Sequence, residues 1–122
     1  MKLLFLDTEP TGLDPKKNVV IQISGIIEID GEVKEAFYLR CKPMTGQLCD
    51  PQALKIQNLS IEELRSFPDA GLTYSNFYTK LDSYVDRYDK KDKFYMVGQN
   101  PKFDYDFLDH WFIVFWAVHL LA

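Results

Sequence analysis

The chain has 122 residues, of which 47% are hydrophobic and 15% aromatic, and a formal net charge of −4. That is enough chain for one domain with a core, and too apolar for disorder. The acidic balance excludes a general, charge-driven nucleic-acid binder, but not a nuclease, whose active-site carboxylates add negative charge that bound metal offsets. Cys41 and Cys49 lack Cys-x-x-Cys spacing and read as reduced thiols. The apolar run ahead of Asp7 is too short for a signal peptide, and the run from Trp111 to Ala122 falls short of the ~20 residues that span a bilayer. The expectation is a cytoplasmic protein with no membrane association.

In chain order, Lys2 to Asp7 reads as a strand with both faces apolar, which predicts a central strand covered on both sides. Val19 to Asp30 is rich in Ile and Val, and Asp30-Gly31 signals a two-residue hairpin. The return strand alternates Val33, Glu35, Phe37, Leu39 and Cys41 with Lys34, Ala36, Tyr38 and Arg40 and is expected half-buried. Asp50-Pro51 pairs an N-cap with proline at the first helical position. Ser60 and Glu63 fit a capping box, flanked by a Leu59–Leu64 staple. Tyr74, Phe77, Tyr78, Leu81, Tyr84, Val85 and Tyr88 step by three and four, which predicts one longer helix with an aromatic core stripe. Asp89 to Lys93 reads as a solvated charged turn. Phe94 to Val97 reads as a short strand, after which Gly98 breaks, Asn100 caps and Pro101 starts a last helix.

Three carboxylates stand out against this frame. Asp7 and Glu9 lie two apart at a strand end, so both side chains leave the same face. Asp104 sits near the start of the last helix, and Phe107, Leu108 and Trp111 follow at its three-, four- and seven-residue steps. That spacing puts it on the buried stripe, where an aspartate is costly unless paired or metal-bound. Blander readings stay open: Asp104 capping its own helix, and Asp7 with Glu9 in a solvated strand–loop corner. Three oxygen donors with no Cys or His beside them suit Mg²⁺ or Mn²⁺ rather than zinc, and a two-metal site is expected with Asp7 as the bridging ligand. No Walker-type loop and no Gly-x-Ser-x-Gly elbow is present.

Asp7-Thr8-Glu9-Pro10-Thr11-Gly12 resembles the first motif of the DEDD-type 3′–5′ exonucleases, the group that includes proofreading exonucleases and oligoribonucleases. Gly98-Gln99-Asn100-Pro101-Lys102-Phe103-Asp104 resembles their second motif, and Pro51 to Ser60 resembles their connecting segment. The resemblance runs from about Lys2 to about Phe112. It implies a ribonuclease H-like α/β fold: three antiparallel strands extended by a parallel one and flanked by helices. It implies that Asp7 ligates both metals, Glu9 the water-activating one and Asp104 the second. Thr8, Pro10, Thr11, Gly12 and Leu13 would meet the terminal nucleotide, with Leu13 near its base, while Asn100 and Phe103 match second-motif positions around the substrate. The implied substrate is a single-stranded 3′ end, DNA favoured over RNA, and the implied partner a polymerase or other replication or repair protein.

Three positions depart from the family pattern. Pro10 replaces a usual Thr and removes a backbone N–H that could bond substrate. Gln99 stands where His is common. A general-base His followed closely by a fourth carboxylate should come after Asp104, yet the only histidines are His110 and His119, and neither falls on the Asp104 helix face near the metal. The reading is therefore a single exonuclease-like domain over 1–122, incomplete at its C-terminus, with 113–122 an atypical apolar tail. Residues 111–122 are expected to self-associate. Activity is expected to be impaired, and the alternatives are a non-catalytic metal- and nucleic-acid-binding module or an assembly domain.

Overall fold

The structure is a computed structural model that describes the backbone of residues 1–115 and the side chains of residues 1–109. Four strands and four helices follow in the order β1 (Lys2–Pro10), β2 (Val20–Ile29), β3 (Glu32–Arg40), α1 (Pro51–Ile56), α2 (Ile61–Arg65), α3 (Ala70–Asp82), β4 (Tyr95–Val97) and α4 (Pro101–Phe115). The sheet order is β3-β2-β1-β4, antiparallel except for the parallel β1–β4 pair. This is the expected mixed sheet of three antiparallel strands plus one parallel strand, and β1 is central.

Local chemistry accounts for most of these elements. Asp30 and Gly31 both take positive φ, 51° and 83°, as the tight β2–β3 turn requires. The Asp50 carboxylate accepts from the Gln52 amide ahead of Pro51, and Ser60 and Glu63 form the reciprocal capping box of α2.

The two faces of the sheet are treated differently. Thr8–Ile23–Leu39, Leu6–Gly25–Phe37 and Leu4–Ile27–Glu35 form cross-strand rows on one face. Leu4, Ile23 and Ile27 are fully buried there with Phe77, Leu81 and Leu108 of the helices. Phe37 meets Phe77 of α3 at 5.9 Å between ring centroids, and its ring lies across Gly25, where an added Cβ would come within 2.3 Å of it. Lys80 of α3 pairs with Glu35 at 2.6 Å at the edge of this face. The other face carries the rows Val97–Phe5–Ile26–Ala36 and Asp7–Ser24–Tyr38.

Three expectations are corrected. β1 is covered on one face only among the described residues: α3 and α4 both pack on the Leu4–Leu6 side, and Phe5 remains 37% exposed. The aromatic stripe does not make one long helix. α3 ends at Asp82, and Tyr84, Val85 and Tyr88 follow in irregular chain. There the Asp86 and Asp89 side chains accept from the amides of Tyr88 and Lys91, and Asp92 accepts from the Asp86 amide. Such local side-chain-to-backbone bonds compete with helix propagation. Nor is the charged turn wholly solvated, because Asp92 pairs with Lys2 at 2.6 Å and ties the turn to the start of β1.

Among the described residues no helix is long and apolar enough to cross a membrane. Both cysteines are free thiols, and burial pushes that of Cys41 up to about 12. Self-association through 111–122 and the placement of His110 and His119 lie outside the described side chains.

Candidate active site

The site forms where β1 runs out of the sheet and α4 begins. β1 keeps an unbroken register with β2 to Glu9, and the register shifts between Glu9 and Pro10. Alternation sends Asp7 and Glu9 to the open face and Thr8 to the closed face between them. α4 starts at Pro101, and the Asn100 carbonyl accepts from the amides of Phe103 and Asp104. This first turn delivers Asp104, 6% exposed, to β1, where its Oδ1 accepts a hydrogen bond from the Thr8 hydroxyl. Gly98 leaves room beside it: a Cβ there would stand 3.0 Å from the Leu6 carbonyl and 3.5 Å from Asp104 Oδ2.

The three carboxylates feel one another. Burial raises Glu9 above the usual glutamate range, and the charges of Asp7 and then Asp104 raise it further. Burial also raises Asp104; the Thr8 hydroxyl and amide pull it back, and Asp7 raises it again. Among the described residues no Lys, Arg or His forms an ion pair with any of the three. Nor are any three His, Cys, Asp or Glu side chains gathered as a ready metal cage among those residues. Thr8 occupies one Asp104 oxygen. Three carboxylates with no counter-ion among the described residues fit a divalent ion, and oxygen-only donors fit a hard one.

The remaining predicted residues divide into an inner and an outer group. Thr11 has no exposed surface: its amide donates to Val19 O at 2.8 Å, its carbonyl accepts from Asp50, and its hydroxyl donates to Leu48 O at 2.8 Å. It therefore pins the turn and has no group left for a ligand. Pro10 is buried as well, with its carbonyl accepting from Gln57 Nε2 at 2.7 Å. Gly12 is buried under Asn18, whose side chain would lie 2.4 Å from an added Cβ, so only glycine fits that arrangement. Phe103 is half-buried against the core, and its ring meets that of Phe107 at a tilt with centroids 5.0 Å apart. Leu13, 81% exposed, and Asn100 face outward.

Sequence reasoning missed the supporting partners. Gln57, at the C-cap of α1, also accepts from Gln22 Nε2 at 2.9 Å, and Gln22 is the cross-strand partner of Glu9. Its position inside the connecting segment was the one available signal.

A protein-family model described as Exonuclease, of the RNase T type, matches residues 4–121. No curated protein matches the chain. Among solved structures, E. coli exonuclease I in complex with a dA16 oligonucleotide superposes with a TM-score of 0.73 at 22% identity, over 92% of this chain and 23% of that one. The zinc-ion-bound form of that enzyme with single-stranded DNA gives the same four values. A moderately thermophilic exonuclease I from Methylocaldum szegediense gives 0.63 at 22% identity, over 87% of this chain and 22% of that one. The chain thus spans about a quarter of the length of the exonuclease I structures it matches, and shares their ribonuclease H-like fold. With the family model matched across nearly its whole length, the chain belongs to the DEDD-type exonuclease family.

Proposed function

We propose that this chain acts on the 3′ end of single-stranded nucleic acid and hydrolyses its terminal phosphodiester bond, with divalent cations held by Asp7, Glu9 and Asp104. The observation that carries the reading is Asp104: a buried carboxylate delivered by one helix to the strand segment between two others, with no ion pair to neutralise the three among the described residues. Divalent ions in such a site acidify water and offset charge on the leaving oxygen. Asp7 and Glu9 would hold the ions from the strand side and Asp104 from the helix side, with Thr8 fixing the Asp104 carboxylate. Leu13 offers an exposed apolar contact to the terminal base. Mg²⁺ and Mn²⁺ match the donor set, and DNA is the favoured substrate, in line with the oligonucleotides bound by the E. coli relative.

Turnover by the 122-residue chain itself is expected to be slow. A general base contributes about 10²–10⁴-fold, and no His followed closely by a carboxylate comes after Asp104. The test is release of mononucleotides from a 3′-labelled single-stranded oligonucleotide with Mn²⁺. Slow, metal-dependent release that Asp104→Asn abolishes is the expected result. Release that persists in Asp104→Asn overturns the site. Saturable binding of ion and oligonucleotide with no release in either protein assigns the chain to the non-catalytic binding module instead.

A further inference from the structure

The open face of the sheet carries one cation in the same row as a site carboxylate. Glu9 pairs across β1–β2 with Gln22, and Gln22 across β2–β3 with Arg40. Cross-strand partners share a face, so Arg40 stands on the Glu9 side of the sheet, two strand steps or about 10 Å away. Arg40 is exposed and has no carboxylate partner among the described residues. It is nevertheless held. Its guanidinium lies 5.0 Å from the ring centroids of both Tyr38 and Phe67, and its Nε donates to the Tyr38 hydroxyl at 2.7 Å. Tyr38 donates in turn to Gln22, which donates to Gln57, which donates to the Pro10 carbonyl. A polar ladder therefore runs from Arg40 to the turn that follows Glu9.

An arginine fixed by two rings and a hydroxyl has already lost much of its rotamer freedom, and its terminal nitrogens remain available as a fork for a planar or tetrahedral anion. The carboxylates at the other end of the row repel such an anion unless cations cover them. We propose that Arg40 is a phosphate-docking residue for the single strand whose 3′ end enters at Asp7, Glu9 and Asp104. Tyr38 and Phe67 form its platform. This rests on the nuclease reading above. It adds a backbone contact away from the reacting bond, one that carries no sequence information.

The experiment is the salt dependence of binding to a single-stranded oligodeoxynucleotide with phosphorothioate 3′ linkages, at fixed Mg²⁺, for the full chain and three variants. Each phosphate contact to a single strand contributes about −0.7 to the slope of log K against log salt concentration. Arg40→Gln is expected to flatten the slope by about 0.7, and Arg40→Lys to restore it. Lys90→Gln, in the exposed turn whose neighbour Asp92 is tied to the opposite end of β1, is expected to leave the slope unchanged. An unchanged slope in Arg40→Gln, or an equal change in Lys90→Gln, overturns the proposal while leaving the nuclease reading intact. Absence of oligonucleotide binding by the unsubstituted chain overturns both.

Discussion

The closed and open faces of this sheet are built from the same strands and do opposite work. Moving one residue along β1 exchanges them: Leu4, Leu6 and Thr8 point into a core sealed by α3 and α4, whereas Phe5 and Asp7 line an open groove of about 600 Å³ beside Ser24, Ile26 and Val97, and Glu9 leaves the same face. Burial on the first face supplies the stability that lets the second carry Asp7 and Glu9, which repel each other and the buried Asp104 across the strand. Thr8 joins the two, because its hydroxyl sits on the closed side and holds Asp104 for the acidic site.

The sharpest way to break this contrast is to truncate one large apolar residue on each side. Phe77, fully buried against Phe37, is expected to cost about 3–5 kcal/mol as Phe77→Ala, with loss of cooperative unfolding in urea as an acceptable extreme. Ile26, 42% exposed on the open face, is expected to cost less than ~1 kcal/mol as Ile26→Ala. Equal costs in denaturant titrations would mean that the open face is packed in solution.

A smaller effect is expected at the junction. Thr8→Val keeps shape and burial but removes the hydroxyl that donates to Asp104, leaving a buried carboxylate short of a partner. That should cost about 1–3 kcal/mol near neutral pH. Because the Thr8 bond is what lowers the Asp104 pKa, its loss should move that pKa further up and shift metal binding to higher pH. A Thr8→Val protein with unchanged stability and an unchanged pH midpoint for metal binding would remove Thr8 from the account.

Much of this architecture was legible in the residues. Asp30-Gly31, Ser60 with Glu63, and Asp50-Pro51 each encode a local geometry that needs no tertiary context, and each appears where expected. The β1–β4–α4 arrangement followed from the two acidic motifs and their resemblance to the exonucleases. The end of α3 was not legible from periodicity, because Tyr84 and Val85 keep the helical spacing and the half-buried environment while Asp86, Asp89 and Asp92 redirect the backbone. The inward turn of Pro10 and Thr11 was hidden for a different reason. Their partners Gln57, Leu48 and Asp50 lie some forty residues away, and no spacing rule reports such contacts. The same holds for the Arg40 platform, in which Phe67 joins β3 from the connection between α2 and α3.

Asp7, Glu9 and Asp104 are proposed to share a divalent cation, and pH and metal together test it. For a carboxyl whose folded pKa is raised, the native state holds more protons than the unfolded state just above the unfolded pKa, so stability falls as pH rises through that window. For Asp104 the window opens near the ordinary aspartate value of 3.8 and extends upward. Without metal, Asp104→Asn should therefore melt higher than the unsubstituted chain at neutral pH, by a few °C for a domain of this size, and the gap should close on acidification toward that value. The most direct measurement is the melting temperature of both proteins at neutral pH, with and without Mn²⁺. Mn²⁺ is expected to raise the unsubstituted chain by mass action and to leave Asp104→Asn where it was. Equal Mn²⁺-induced shifts in the two proteins would contradict that expectation.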